Sequence, residues 1–136
     1  MATSKVTYLG GLRTENLHLK SQSTFITDAP LDNHGKGEAF SPTDTVATGL
    51  VNCMLTVMGI KARDLGEDLT GSVATVSKTM AVNPRRISAI EIEMELPATV
   101  SERNRKVLQN TADTCPVIYS LHPDIAISIS YHWSRN

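Results

Sequence analysis

The sequence predicts an α+β fold with mainly antiparallel sheet, and three observations carry that prediction. One long uncharged segment, Thr45 to Ile60, follows a helix-start signature. Two later segments, Ile90–Leu96 and Ile125–Trp133, alternate apolar and polar residues as half-buried strands do. Turn residues then join neighbouring segments by hairpin-type connections, with no repeating strand–helix unit that would specify a parallel sheet.

In chain order, Val6 to Leu12 and Asn16 to Thr27 read as strands, rich in Thr, Val, Tyr and Phe. Gly10-Gly11-Leu12-Arg13-Thr14-Glu15-Asn16 suits the turn between them, with Arg13 near its tip. Asp28 to Glu38, dense in Gly, Asp, Asn and Pro, is a loop. Ser41-Pro42-Thr43-Asp44 places a capping Ser, a Pro at the first helical position and an acid at the third, so a helix runs from Pro42 to about Ala62. It ends near Arg63–Gly66, where Lys61 and Arg63 suit the negative end of the helix dipole. Val46, Leu50, Cys53, Val57 and Ile60 form one apolar stripe on it, and Ala47, Val51, Met54 and Met58 the next, which predicts a central helix. Strands follow over about 69–82 and 87–96, joined at Asn83-Pro84-Arg85-Arg86; in the second, Ile90, Ile92, Met94 and Leu96 interleave with Glu91, Glu93 and Glu95. A helix over about 102–113 starts at Ser101, and Pro116 ends or bends it. A short helix over about 116–120 and a last strand over about 124–133 complete one domain spanning 1–136.

Composition narrows the function. Of 136 residues 40% are hydrophobic, and 13 Lys and Arg balance 14 Asp and Glu, a length and mixture that read as one ordinary soluble domain. A net charge of -1 supplies no basic field for nucleic acid or an anionic membrane. The start of the chain has no apolar stretch of signal-peptide length, and the uncharged run is short and polar for a membrane span, so a cytoplasmic location is expected. Two cysteines, Cys53 and Cys115, are too few for a disulfide scaffold. His18, His34, His122 and His132 are dispersed without metal-ligand spacing, so neither metal nor cofactor is expected.

Each candidate residue has a plain structural explanation beside its chemical one. Cys53, mid-helix, reads as a small buried hydrophobe, and Cys115 as a residue at a helix boundary. A Cys–His hydrolase needs a histidine brought to Cys53; His34, in the Gly-rich loop, is the best placed. Thiol redox chemistry needs less: an activating cation, access for the oxidant and a second thiol. Arg13 is the candidate cation, and otherwise a solvated turn arginine. Asp44 and Glu38 are candidate acids to orient its guanidinium, although Asp44 is also fully explained as a helix cap. A thiol in apolar surroundings is inert, so chemistry at Cys53 requires a cation delivered by the fold, with Leu50, Met54 and Met58 available to shape an apolar pocket.

The run Gly37-Glu38-Ala39-Phe40-Ser41-Pro42-Thr43-Asp44, then Ala47, Gly49 and Asn52-Cys53-Met54, with Cys115-Pro116-Val117 further on, resembles the OsmC/Ohr family of osmotically inducible and organic hydroperoxide resistance proteins. The likeness covers essentially the whole chain. It implies sheets wrapped around a long central helix in an intertwined homodimer with active sites at the subunit interface. It implies a thiol-dependent peroxidase of the peroxiredoxin kind, acting in oxidative-stress defence on organic hydroperoxides. Cys53 matches the peroxidatic cysteine, Cys115 the resolving one and Arg13 the activating arginine. The resemblance also implies a dithiol reductant, lipoyl-type in the Ohr branch, with a thioredoxin-like protein as the other possibility. The Ohr branch carries Glu ten residues before the cysteine, where this chain has Thr43; Asp44 better matches the acid of the OsmC-like branch. The alternative is a non-enzymatic OsmC-like dimer that binds an apolar ligand or a partner.

Overall fold

Gly10-Gly11-Leu12 reverses the chain through three successive positive φ values, 80°, 60° and 63°, a path that glycine follows without a Cβ penalty. Leu12 adopts it with its N–H donating to the Tyr8 hydroxyl at 3.3 Å. This turn joins β1 (Ser4–Gly10) to β2 (Arg13–His18), and β2 pairs in turn with β3 (Thr24–Asp28), giving an antiparallel sheet ordered β1-β2-β3. The segment expected as one strand over 16–27 is therefore two. Lys20-Ser21-Gln22-Ser23 turns the chain between them, with Gln22 at φ 63° and its N–H donating to the His18 carbonyl. Polar side chains stabilise that turn: the His18 Nδ1 and Ser21 Oγ lie 2.6 Å apart.

The structure is a computed structural model describing Met1–Asn136, and its contacts divide it into two units, Met1–Val46 and Ala47–Asn136. The first holds the β1-β2-β3 sheet, a loop with one 3-10 turn at Leu31–Asn33, and the start of α1 (Pro42–Asp64). A reciprocal capping box starts α1: the Asp44 N–H donates to Ser41 Oγ at 3.1 Å, and the Ser41 N–H donates to Asp44 Oδ2 at 2.9 Å. At the other end Gly66, at φ 72°, lets the Glu67 N–H reach the Ala62 carbonyl and the Gly66 N–H the Arg63 carbonyl, a Schellman closure.

The second unit carries the core. Strands β4 (Val73–Ala81) and β5 (Arg86–Pro97) form an antiparallel pair; α2 (Glu102–Asp113) and α3 (Pro116–Ser120) then cross over to β6 (Ala126–Arg135), which pairs parallel with β5. Hairpin-type connections were expected throughout, and this one differs because two helices intervene and return the chain in the same direction. Ile90, Ile92, Met94 and Leu96 of β5 are buried against Leu50, Val51, Met54 and Met58 of α1, with Leu108 and Ala112 of α2. By length and composition α1 could cross a membrane, whereas the sequence reading found its uncharged run too short and polar. Here Leu50, Met54 and Met58 are wholly enclosed by protein.

Candidate active site

Two clusters of chemically capable side chains emerge, one in each unit. In the second, Cys53 projects half-buried from the middle of α1, while Cys115 precedes Pro116 at the start of α3 and is 1% exposed. Both are free thiols, and Cys53 is near enough to Cys115 to act on the ionisation of its thiol. Burial pushes the Cys115 thiol above its ordinary ionisation range, opposed by the Ile118 and Val117 amides and reinforced by Cys53. The helix–Pro boundary explains the placement: Cys115 is extended, at φ -69° and ψ 153°, as a residue before proline must be, and this turns its side chain into the core.

In the first unit, Arg13 and Asp28 are cross-strand partners on β2 and β3. The guanidinium grips the carboxylate with two bonds, Nε to Oδ1 at 2.7 Å and Nη2 to Oδ2 at 2.8 Å. Asp28 is buried and accepts a third bond from the Glu38 N–H at 3.1 Å, and the Glu38 carboxylate itself accepts from Arg13 Nη2 at 3.1 Å. The Arg13 guanidinium, helped by the Glu38 amide and opposed by burial, holds the Asp28 carboxyl below the usual carboxylate range, and the same pairing keeps Arg13 charged. The loop that returns Glu38 is closed by Gly37 N–H to the Ala29 carbonyl and Asp28 N–H to the Phe40 carbonyl. Gly35 permits that closure, since a Cβ there would overlap the Ala29 carbonyl.

Arg13 is thus a clamped residue at the start of β2 instead of a solvated turn arginine, with its side chain 26% exposed. Of the two acids expected to hold it, Glu38 does so, whereas Asp44 engages the Ser41 N–H as the third helical residue of the capping box. The principal acid is Asp28, which sequence reading passed over as the first residue of a loop. The polar Lys20–Ser23 turn was the available signal, because a hairpin centred there sets Arg13 opposite Asp28. Leu50, Met54 and Met58, offered as pocket lining, are core residues packed beneath β5. His34 sits at φ 66° in the loop, outside both clusters, and no group of His, Cys, Asp and Glu is arranged to hold a metal.

Residues 35–130 match the profile of the OsmC-like protein family, more than half of the chain. The chain belongs to the OsmC/Ohr family. A Psychrobacter arcticus 273-4 protein named for osmotic-stress induction and detoxification response is 53% identical to this OsmC-like protein over 97% of this chain and 96% of its own, with a TM-score of 0.94. The fold extends to an organic hydroperoxide resistance protein OsmC of Legionella pneumophila, 15% identical over 97% and 98% of the two chains (TM-score 0.75). It also extends to an organic hydroperoxide resistance protein of Elizabethkingia anophelis, 17% identical over 100% and 98% (TM-score 0.71). No curated protein sequence matches the chain.

Proposed function

We propose that this OsmC-like protein is a thiol-dependent peroxidase that reduces organic hydroperoxides to alcohols. The observation that carries the reading is the nearness of two free cysteine thiols, one from the middle of α1 and one from the α2–α3 boundary. A peroxidase of this kind needs one thiolate to attack the O–O bond and a second thiol within bonding reach of the resulting sulfenic acid. Cys53, the more exposed, takes the first role: its thiolate bonds one peroxide oxygen, the O–O bond breaks, and the alkoxide departs as alcohol after taking up a proton. Cys115 takes the second, displacing water from the sulfenic acid to form the Cys53–Cys115 disulfide. An external dithiol, lipoyl-type or thioredoxin-like, returns both thiols.

Arg13 is the cation assigned to thiolate stabilisation and peroxide orientation. Asp28 and Glu38 hold Nε and Nη2, so the guanidinium is fixed while Nη1 carries no hydrogen bond. Preorganisation of this kind spares the reaction the cost of ordering a long side chain. The names of the Psychrobacter, Legionella and Elizabethkingia relatives, detoxification and organic hydroperoxide resistance, support a stress-defence role. We assign a homodimer as the working form, because Val6, Tyr8, Leu9 and Phe25 of the β1-β2-β3 sheet are each more than half exposed.

The depth of Cys115 favours a second reading, a non-enzymatic dimer that binds an apolar ligand or partner and keeps its cysteines for packing. Turnover of cumene hydroperoxide with dihydrolipoamide separates the two. The peroxidase reading expects no turnover from Cys53→Ser and a single unrecycled turnover from Cys115→Ser; full turnover by Cys53→Ser overturns it.

A further inference from the structure

On the inner face of β6, Tyr131 follows Ile127 and Ile129 and packs with them against the core, yet it ends in a hydroxyl that needs a partner. Both of its partners lie in one short stretch of chain. The hydroxyl donates to Asp113 Oδ1 at 2.8 Å, with a longer contact of 3.4 Å to the Gln109 carbonyl. These acceptors belong to the last turns of α2, and Asp113 stands two residues before Cys115. The backbone carries the constraint onward, because the Thr114 N–H donates to the Thr111 carbonyl at 3.4 Å and the Cys115 N–H to the Ala112 carbonyl at 3.3 Å. Close packing does less here: Asp113 and Ile118 line a cleft of about 420 Å³ together with Ile127, Ile129 and Tyr131. Burial, with Asp113 beside it, keeps the phenol protonated and so a donor, and Cys115 is near enough to act on its ionisation. One turn earlier a second bond joins the same two elements, Trp133 Nε1 to Gln109 Oε1 at 2.9 Å.

We propose that Tyr131 is a positioning residue for the resolving step: through Asp113 it latches the end of α2 to β6 and so holds the Cys115 thiol where it meets an oxidised Cys53. The inference rests on the peroxidase reading and adds a residue to it. In the step that the latch serves, the Cys115 sulfur bonds the sulfur of the Cys53 sulfenic acid, the S–O bond breaks, and hydroxide leaves as water with the Cys115 proton. Cys115 is 1% exposed, so its thiol has only the approach that its backbone gives it. Freedom at the end of α2 shortens the time it spends in reach of Cys53. The sulfenic acid then persists, and a second hydroperoxide carries it to the sulfinic acid with release of a second alcohol. A hydrogen bond to a carboxylate is worth about a tenfold change in an equilibrium, at the low end of its range where the acceptor, as Asp113 does, lies at the surface.

The test reaches the disulfide by two routes. In glutathione redox buffers, which need no peroxide, the protein dithiol passes two electrons and two protons to glutathione disulfide, and the equilibrium reports the effective concentration of Cys115 at Cys53. After one equivalent of cumene hydroperoxide, rapid-quench alcohol release times the attack by Cys53, and dimedone capture counts the sulfenic acid left open. Tyr131→Phe keeps the ring and removes the donor. Its effective concentration is expected to fall by about tenfold and its dimedone capture to rise, while alcohol release stays within about twofold of wild type. Asp113→Asn keeps an acceptor oxygen and is expected to stay within about threefold of wild type. Asp113→Ala is expected to match Tyr131→Phe, and the double variant to lose no more than either alone. A general loosening of the fold would instead slow both steps alike and leave the two losses additive. Equal effective concentrations in wild type and Tyr131→Phe, equal slowing of both steps, or additive losses each overturn the latch and leave the peroxidase reading standing. A disulfide that forms in glutathione buffer but never after peroxide overturns the peroxidase reading and the resolving role with it, and a wild-type protein that forms no Cys53–Cys115 disulfide by either route overturns both.

Discussion

Asp28 holds its charge in a buried place because three donors converge on it, two from Arg13 and one from the Glu38 backbone. Its folded-state ionisation lies below the unfolded one, so the pair's contribution to stability is complete above about pH 4 to 5 and is lost as pH falls through Asp28's lowered value. Asp28→Asn is therefore expected to be less stable than wild type at pH 7 in urea unfolding, with the gap closing below about pH 4. The same substitution leaves Arg13 charged but unaimed, and peroxide reduction is expected to fall by about tenfold to a hundredfold. At Cys115 the sign is reversed. Its thiol ionises later than an ordinary one, so disulfide formation after a single peroxide addition is expected to quicken by about tenfold per pH unit between pH 7 and 8. A rate flat in pH would place another step in control. Cys53, Cys115, Arg13 and Glu38 were legible as candidates from residue type and motif. Asp28 was not, because its role depends on strand register, and an aspartate before Ala-Pro reads locally as a loop residue.

Among the elements, α1 was the most legible, since its capping box, proline and terminal glycine all act within a few residues of themselves. Asp44→Ala is expected to cost about 1 kcal/mol of stability, the usual worth of such a cap. Its hydroperoxide activity is expected to stay within about twofold of wild type at a temperature where both are folded, because the carboxylates on Arg13 are Asp28 and Glu38. A loss as large as that of Asp28→Asn would restore Asp44 to the site. Strand direction was less legible. Alternation in Ile127, Ile129 and Tyr131 shows that one face of β6 is buried, but the same alternation serves parallel and antiparallel pairing, and only the α2–α3 crossover decides. The break between β2 and β3 was hidden for a similar reason: Leu19 prolongs the apolar pattern, while the turn rests on His18, Ser21 and Gln22 side chains.

At the scale of the whole molecule, the fold class followed from pattern, and the aliphatic core followed from a composition with only 4% aromatics. What the pattern did not convey is how unevenly that core is shared. The second unit encloses nearly all of it, while the β1-β2-β3 sheet leaves Val6, Tyr8 and Phe25 open. If that sheet is covered by a second copy, Val6→Asp combined with Phe25→Asp is expected to shift a sedimentation boundary from dimer to monomer and to abolish peroxide reduction. A wild-type boundary at monomer mass would reject the assignment. The central claim, that Cys53 and Cys115 are a working redox pair, is tested most directly by intact mass and peptide mapping after one equivalent of an organic hydroperoxide. The account predicts a loss of two hydrogens per chain, with one linked peptide containing both cysteines. An unchanged mass, or oxygen added at Cys53 without a link to Cys115, would contradict it.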